Sequence, residues 1–232
     1  AYSLMWLGRT DEARHSLRIA EEKGLWSQPM QYPGELEHSL PSAPFPDRAP
    51  MHCVLDRLEA DGAAIAAEAL DLLHRSAAIE SDGGSRWETR IFRAEGEGLQ
   101  SPVEGFGKYD AWRACMTDVE GDEELESGLH PKLCSTLKFL TQQTGAQIML
   151  ARISRLQPGV TISAHTGLTN RRWRIHLGLK LPRKYAAQLH VGKEAVPWQV
   201  GKTILFDDSY EHAVHWSPPL EEPDLSALEA RL

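Results

Sequence analysis

Two histidines in the C-terminal half of the sequence are spaced so that they could bind one metal ion. His165 lies in the string SAHTG (163–167), and His212 ends the string FDDSYEH (206–212). Imidazole nitrogen is a good ligand for Fe(II), and ligands on one side leave coordination positions open for a co-substrate and O₂. The usual facial triad takes a carboxylate two residues after the first histidine, where this chain has Gly167. Spacing alone leaves two interpretations open, a metal site or structural histidines hydrogen-bonded in turns.

The segments around both histidines predict short β-strands. Residues 173–181 alternate between large apolar side chains and polar ones, which places Arg174 and His176 together on the polar face. Other apolar runs lie between Gly, Pro and Asp-Asp turn signals, over 147–156, 188–191, 203–206 and 211–215. Short strands at this spacing are typical of an antiparallel sandwich or barrel. One histidine early and one late in such a sheet is the arrangement of jelly-roll iron sites.

The N-terminal half predicts helices on either side of a proline-rich segment. Residues 1–27 form a helical segment in which LGRTDEARHSLRIAEEKG (7–24) is similar to the end of a tetratricopeptide-type helical pair. An unrelated amphipathic hairpin fits the same pattern. Six prolines over 28–50 predict an extended linker across the surface of the next domain. Apolar residues at helical spacing predict a long helix over 52–77 and a short one over 130–140.

The composition is that of an ordinary globular protein and excludes several classes. The 232 residues carry 25 basic and 33 acidic side chains, a net charge of −8, and 41% of them are hydrophobic. This acidic balance argues against nucleic acid as the main partner, because phosphate binding needs a basic face. No apolar run reaches the roughly 20 residues that cross a bilayer, and the start at Ala1 has no signal pattern and is typical of a fragment. Three cysteines without CxxC spacing favour neither a disulfide scaffold nor a zinc knuckle.

Longer strings around the two histidines resemble the aspartyl/asparaginyl β-hydroxylase family. The first is LQPG (156–159) with HTGLTNRRWRIHLGL (165–179), and the second is Trp198 with GKTILFDDSYEHAV (201–214). The resemblance implies an Fe(II)- and 2-oxoglutarate-dependent oxygenase that uses O₂. It implies an α+β fold with a double-stranded β-helix core (jelly-roll, cupin-like) behind helices. The family also has glycine in the carboxylate position of the triad, so Gly167 agrees with it. The implied oxygenase domain covers 51–217, with its β-helix core over 145–217 and a C-terminal tail over 218–232.

The resemblance implies roles for particular residues. It makes His165 and His212 the iron ligands, and Asp208 a catalytic residue that hydrogen-bonds a water in the vacant coordination position. It assigns four residues to 2-oxoglutarate: Trp112, Ser154, Arg174 and His176. The implied reaction hydroxylates the β-carbon of Asp or Asn in a peptide or protein, or in a related substrate. A basic stretch beside the site suits an acidic co-substrate and substrate: Arg171, Arg172, Arg174, Arg183 and Lys184.

The sequence departs from the family after the second histidine. The family has a later arginine that pairs with the far carboxylate of 2-oxoglutarate, whereas position 222 is Glu here and the only later arginine is Arg231. A bidentate arginine–carboxylate pair has no Lys or Glu substitute. Either another arginine, such as Arg155 or Arg172, takes the role or the chain binds 2-oxoglutarate poorly. Two hypotheses therefore stand, a working β-hydroxylase and a truncated or degenerate relative that acts as a binding module.

The resemblance leads to two further expectations away from the site. Cys134 matches a family cysteine whose disulfide partner position is Ser127 here, so we expect that family disulfide to be absent. Membrane-anchored members of the family imply the endoplasmic reticulum, but this sequence contains no anchor, so the compartment stays open.

Overall fold

The protein is described by a computed structural model over residues 9–26, 28–80, 106–116, 130–143, 147–157, 159–182 and 187–216. It combines α-helices with antiparallel β-sheets, so the predicted α+β class is confirmed. The helices are α1 (Thr10–Glu22), α2 (His52–Glu80), α3 (Ala111–Met116) and α4 (Pro131–Gln143). The strands are β1 (Phe106–Asp110), β2 (Arg152–Leu156), β3 (Ile162–His165), β4 (Arg174–Leu177), β5 (Ala187–Val191), β6 (Glu194–Pro197), β7 (Thr203–Phe206) and β8 (His212–Trp216). No helix within these ranges is long and apolar enough to cross a membrane.

Helices α2, α3 and α4 form a layer that covers one face of the strands. The three-and-four spacing that predicted α2 gathers its buried apolar side chains into one stripe, which packs against α3 and α4. Strands β1 and β2 contribute to the same core, and β4 packs against its edge. The residues concerned are Ile65, Ala69 and Leu72 of α2, Tyr109 of β1, Ile153 of β2 and Leu177 of β4. The helical layer therefore lies behind both β2 and β4.

The strands form three antiparallel groups. The largest is a four-stranded sheet in the order β3-β8-β5-β6, while β4 pairs with β7 and β1 pairs with β2. A second apolar core lies between the four-stranded sheet and β7; its buried members are Leu189, Val191, Ile204, Phe206, Tyr210 and Val214. This sheet order brings β3 next to β8 although four other strands separate them in the chain. The two strands that carry the predicted metal ligands are thus neighbours.

Three short elements have no clear signal in the sequence, namely α3, β1 and β6. Strand β6 lies at the edge of its sheet, pairs with β5, and has mostly exposed side chains. An edge strand of this kind needs no alternation of apolar residues, because it buries little against either face. The start of the predicted N-terminal helical segment, residues 1–8, and the predicted tail over 218–232 lie outside the described residues.

The cysteine spacing favoured no disulfide scaffold, yet the structure contains a disulfide, with a partner for Cys134 other than position 127. Cys115 of α3 and Cys134 of α4 are bonded, with their Cα atoms 4.9 Å apart. Both cysteines are buried in the core of the helical layer, because α3 and α4 pack side by side there. Cys134 therefore forms its disulfide with Cys115 and not with the family position that is Ser127 here. Cys53 is free and exposed.

The proline-rich segment packs closely against the sheet domain. We call residues 28–48 the strap. Its backbone forms hydrogen bonds with two loops, because the N–H of Glu35 donates to the carbonyl of Leu168 (2.8 Å) and the N–H of Glu211 donates to the carbonyl of Met30 (2.7 Å). Asp207 also donates its N–H to the carbonyl of Pro44 (3.1 Å). The strap thus contacts the loop after His165 and the loop before His212.

Candidate active site

His165 and His212 lie directly opposite each other on paired strands. His165 ends β3 and His212 begins β8, and the antiparallel register makes them partners. Opposite residues in an antiparallel pair project to the same face, and the two ring centroids are 4.1 Å apart. His212 is buried, with 6% of its surface exposed, whereas His165 is half-buried. The two rings can therefore bind one metal ion together. The ion would reach them from solvent on the side of His165, which is the more exposed of the two.

Hydrogen bonding and burial keep His212 in the form that binds metals. Its Nδ1 lies 2.9 Å from the carbonyl oxygen of Tyr210, so Nδ1 carries the proton and the lone pair of Nε2 is left for a ligand. Burial, together with the neighbouring His165, lowers the pKa of His212 to about 3. A metal ion requires the neutral imidazole. His212 is accordingly neutral at physiological pH.

Asp208 places a buried carboxylate beside the histidine pair. Its side chain is fully buried, at 0% exposure. Its Oδ2 accepts hydrogen bonds from Nε of Arg174 (2.5 Å) and from a terminal nitrogen of Arg172 (3.4 Å). Its Oδ1 is also buried but accepts no hydrogen bond from the described residues. Because a buried carboxylate oxygen without a hydrogen bond is costly, Oδ1 is available to accept a hydrogen bond from a bound molecule.

The structure gives a physical reason for glycine at position 167. A Cβ atom added to Gly167 would lie 2.5 Å from Cγ of Asp208 and 2.6 Å from each of its carboxylate oxygens. The two residues also share a backbone bond, in which the N–H of Gly167 donates to the carbonyl of Asp208. The carboxylate of Asp208 therefore occupies the space in which a side chain at position 167 would begin.

His176 lies between two aromatic rings on the same face of β4 as Arg174. Its ring stacks on Trp198, with centroids 5.8 Å apart, and meets Phe206 edge-on at 4.8 Å. The ring centroid of Phe206 is also 5.6 Å from that of His212. Phe206 therefore contacts both His176 and His212. Burial lowers the pKa of His176 to about 4, and the positive charge of Arg174 contributes. His176 is a neutral group beside a half-exposed guanidinium.

A comparison with known protein families identifies the family of this chain. The sequence profile of the family described as aspartyl/asparaginyl beta-hydroxylase matches residues 59–218, which contain both histidines and Asp208. The chain belongs to the aspartyl/asparaginyl β-hydroxylase family.

Individual relatives match over shorter stretches. Aspartyl/asparaginyl beta-hydroxylase of Mus musculus is 38% identical over 84 residues, which are 36% of this chain and 11% of that protein. Aspartate beta-hydroxylase domain-containing protein 2 of Homo sapiens is 51% identical over 63 residues, 27% of this chain and 16% of that protein. Ornithine lipid ester-linked acyl 2-hydroxylase of Rhizobium tropici is 40% identical over 63 residues, 27% of this chain and 22% of that protein. The chain thus spans less than a quarter of the length of each of these relatives.

Two of the residues that the family resemblance implies for 2-oxoglutarate lie on elements other than those that carry the histidines. Ser154 is exposed on β2, opposite Lys108 of β1. Strand alternation puts it on the same face as Leu156, which packs against the core between the sheets. Trp112 lies in α3, and its N–H donates to the carbonyl of Ala151. The described contacts bring together the two histidines, Asp208, Arg174 and His176, but do not join Ser154 or Trp112 to them.

The two arginines considered for the far carboxylate of 2-oxoglutarate lie in different places. Arg155 alternates with Ser154 on β2, so it shares the face of Ile153, which is buried against the helical layer. Arg172 lies beside the site, where it contacts Asp208. The remaining basic positions of the predicted stretch, 183 and 184, and positions 222 and 231 lie outside the described residues.

Sequence analysis missed the residues of the strap that reach the site. Gln31 is fully buried, and its side-chain nitrogen donates to the hydroxyl groups of Ser209 (2.9 Å) and Ser42 (2.5 Å). Gln31 and Ser209 are 178 positions apart in the chain. No local pattern marks a lone glutamine in a proline-rich segment as a partner of the second histidine loop.

Proposed function

We propose that this chain is an Fe(II)- and 2-oxoglutarate-dependent dioxygenase in which His165 and His212 hold the iron. The observation that carries the proposal is the opposed histidine pair, with the carboxylate of Asp208 in the space of a side chain at position 167. Among the described residues no group of three or more His, Cys, Asp or Glu side chains is arranged to hold a metal ion. A two-histidine site is the donor set that fits these residues.

We propose further that the sheets are the two layers of a double-stranded β-helix. The four-stranded sheet β3-β8-β5-β6 faces β7 across the core that contains Phe206. Strands β2 and β4 both turn their other face toward the helices, through Ile153 and Leu177. Because β2 and β4 pack against the same helical layer, we infer that β1, β2, β4 and β7 form the second layer. The histidine pair then lies at the open end of the barrel.

The residues around the histidine pair divide the work of binding and orientation. Arg174 uses its Nε on Asp208, which leaves the terminal nitrogens of a half-exposed guanidinium to bind the chelating end of 2-oxoglutarate. Neutral His176, fixed between Trp198 and Phe206, donates or accepts one hydrogen bond at the same end. When bound, Fe(II) and 2-oxoglutarate supply the oxidising power, drawn from O₂, that converts a C–H bond to C–OH.

The carboxylate of Asp208 lies beside Gly167, the position at which a facial triad would have its carboxylate ligand. Its Oδ1, which accepts no hydrogen bond from the described residues, would accept one from a water molecule held there. The two arginines that donate to Oδ2 fix the direction of the carboxylate. Two neutral imidazoles would leave the double positive charge of Fe(II) uncompensated, and that charge would favour binding of the co-substrate carboxylate.

We assign the far carboxylate of 2-oxoglutarate to Arg172. Its Nε is buried and donates no hydrogen bond to the described residues, so this guanidinium retains donor capacity. Arg155 lies on the face of β2 that is turned toward the helices. Ser154 and Trp112 remain proposed contributors to the same pocket, Ser154 through the strand face that it shares with Leu156.

The substrate that we propose first is the β-carbon of Asp or Asn in a peptide. The arginine-rich loop after His165 suits an acidic side chain, because Arg171 is exposed there. The name of the Rhizobium relative adds an acyl chain as a second candidate. Leu168, which is 66% exposed, and Trp173 border the same loop and would suit an apolar chain.

The proposal is tested by metal analysis together with a 2-oxoglutarate turnover assay. We expect one Fe(II) or Mn(II) per chain, metal-dependent binding of 2-oxoglutarate in calorimetry, and succinate release with an Asp- or Asn-containing peptide or an acyl substrate. His165→Ala should lose all three, while His15→Ala, an exposed histidine of α1, should lose none. If the wild-type chain binds metal but no 2-oxoglutarate, the alternative of a degenerate binding module is correct.

A further inference from the structure

A buried polar network joins the strap to the loop that precedes His212. The side-chain nitrogen of Gln31 donates to Ser209 and Ser42. The hydroxyl of Ser42 lies 3.4 Å from Oδ2 of Asp207 and 3.2 Å from the hydroxyl of Tyr210. Oδ1 of Asp207 accepts the N–H of Ser209 at 2.9 Å. Four of these five residues are buried, and Ser42 is half-buried.

The network includes the residues immediately before and after Asp208 in the chain. Asp207 and Ser209 are its neighbours, and both are fixed by hydrogen bonds from the strap. The carbonyl oxygen of Tyr210, which orients the ring of His212, belongs to the same loop. Tyr32 adds a backbone bond, because its N–H donates to the carbonyl of Ser209 (3.1 Å). The position of the Asp208 carboxylate and the tautomer of His212 therefore both depend on a loop that the strap holds.

The strap also holds the other histidine loop. The carbonyl of Tyr32 accepts the hydroxyl of Thr166 at 3.2 Å, directly after His165. The side chain of Asn170 both accepts the N–H of Glu37 (2.8 Å) and donates to its carbonyl (2.9 Å). One segment thus bonds to both of the loops that flank the two histidines.

We propose that Gln31 and Ser42 are positioning residues of the metal site, which set the geometry of His212 and Asp208 through the 207–210 loop. This inference rests on the proposed function, because it concerns the same metal site. A connected buried network specifies one loop conformation more narrowly than apolar contacts do, since each donor accepts few partner positions. Outer partners of metal ligands change metal affinity by about 10- to 100-fold when they are removed.

The test uses three serine variants of the strap and Co(II), whose visible absorption reports coordination geometry. Ser42→Ala removes the central hydroxyl, Ser42→Thr retains it, and Ser39→Ala is the matched control. The hydroxyl of Ser39 bonds only to Glu37 at the surface in the described structure. We expect Ser42→Ala to weaken Co(II) binding by about 10-fold and to change the absorption bands, and Ser42→Thr to restore both. Ser39→Ala should behave as the wild-type chain does.

The outcomes separate this inference from the proposed function. If the wild-type chain binds Co(II) and Ser42→Ala binds it with the same affinity and spectrum, the positioning role is wrong and the function stands. If the wild-type chain binds no Co(II), both are wrong. Thermal unfolding of each variant shows whether a fall in affinity is only a fall in stability, because stability alone does not move the absorption bands of the bound ion. Gln31→Leu, measured in the same way, should resemble Ser42→Ala.

Discussion

The two loops that present the histidines differ in how firmly they are held. Residues 206–210, before His212, are all buried, and the strap bonds to their backbone and side chains. The loop after His165 is bonded to the strap as well, yet Leu168 and Arg171 within it are exposed. Residues 206–210 are thus held by the strap and shielded from solvent. The loop after His165 is held by the strap on one side and exposed to solvent on the other. If the proposed function is correct, we expect the substrate to approach from the side of His165.

The largest expected effect is the loss of metal binding when either histidine is replaced, and the accompanying change in stability distinguishes the two histidines. His212→Ala and His165→Ala should each abolish metal binding in calorimetry, because a single imidazole does not retain the ion. His212→Ala should in addition lower the free energy of unfolding of the metal-free chain by about 1–3 kcal/mol, since it empties a buried position. His165→Ala should leave that free energy nearly unchanged. Equal losses of stability would contradict the contrast between the loops.

The disulfide provides a comparison outside both loops. Cys115→Ser should lower the free energy of unfolding by about 3 kcal/mol, the value expected for a loop of this length, because the bond links residues 19 positions apart. The affinity of the folded chain for Mn(II) should not change, since the bond lies in the helical layer. Cys53→Ser, at an exposed free cysteine, is the control and should alter neither quantity. A weaker metal site in Cys115→Ser would show that the layers are coupled.

Gly167 tests the contact between the two loops. Gly167→Ala forces its Cβ against the carboxylate of Asp208, and such overpacking costs about 1–3 kcal/mol of stability. The displaced carboxylate should also lower turnover of 2-oxoglutarate. Leu168→Ala, one residue later and exposed, should leave stability within about 0.5 kcal/mol of the wild type. The double variant with Asp208→Gly should recover stability but not turnover, and its failure to recover stability would refute the proposed clash.

A further prediction concerns the dependence of stability on pH. The pKa values of His212 and His176 are lowered to about 3 and about 4 in the folded protein, whereas an unfolded histidine titrates near 6.5. Below pH 6.5 the unfolded chain binds protons that the folded chain does not, so the free energy of unfolding should fall as pH decreases toward 4. Urea unfolding across this range should show the decline. His176→Phe should make it shallower, and His15→Phe should not.

Much of the fold and of the candidate site was predictable because the signals are local. The alternation over 173–181 predicted a strand that carries Arg174 and His176 on one face, and the structure has them on one face of β4. The long α2 followed from its apolar spacing. The disulfide and the strap network could not be predicted in this way. Cys115 and Cys134 meet because two helices pack side by side, and Gln31 meets Ser209 because the strap folds back over the sheet.

The sequence by itself determined which side chains are present for chemistry and which face of each strand they occupy, because both follow from residue type and a period of two. Only the tertiary structure decided which of them meet. Antiparallel pairing of β3 with β8 places His165 opposite His212, and the turn after β7 carries Asp208 into the space beside Gly167. Local patterns carry no information on partners so far apart in the chain, and contacts that close such loops depend on the packing of the whole sheet.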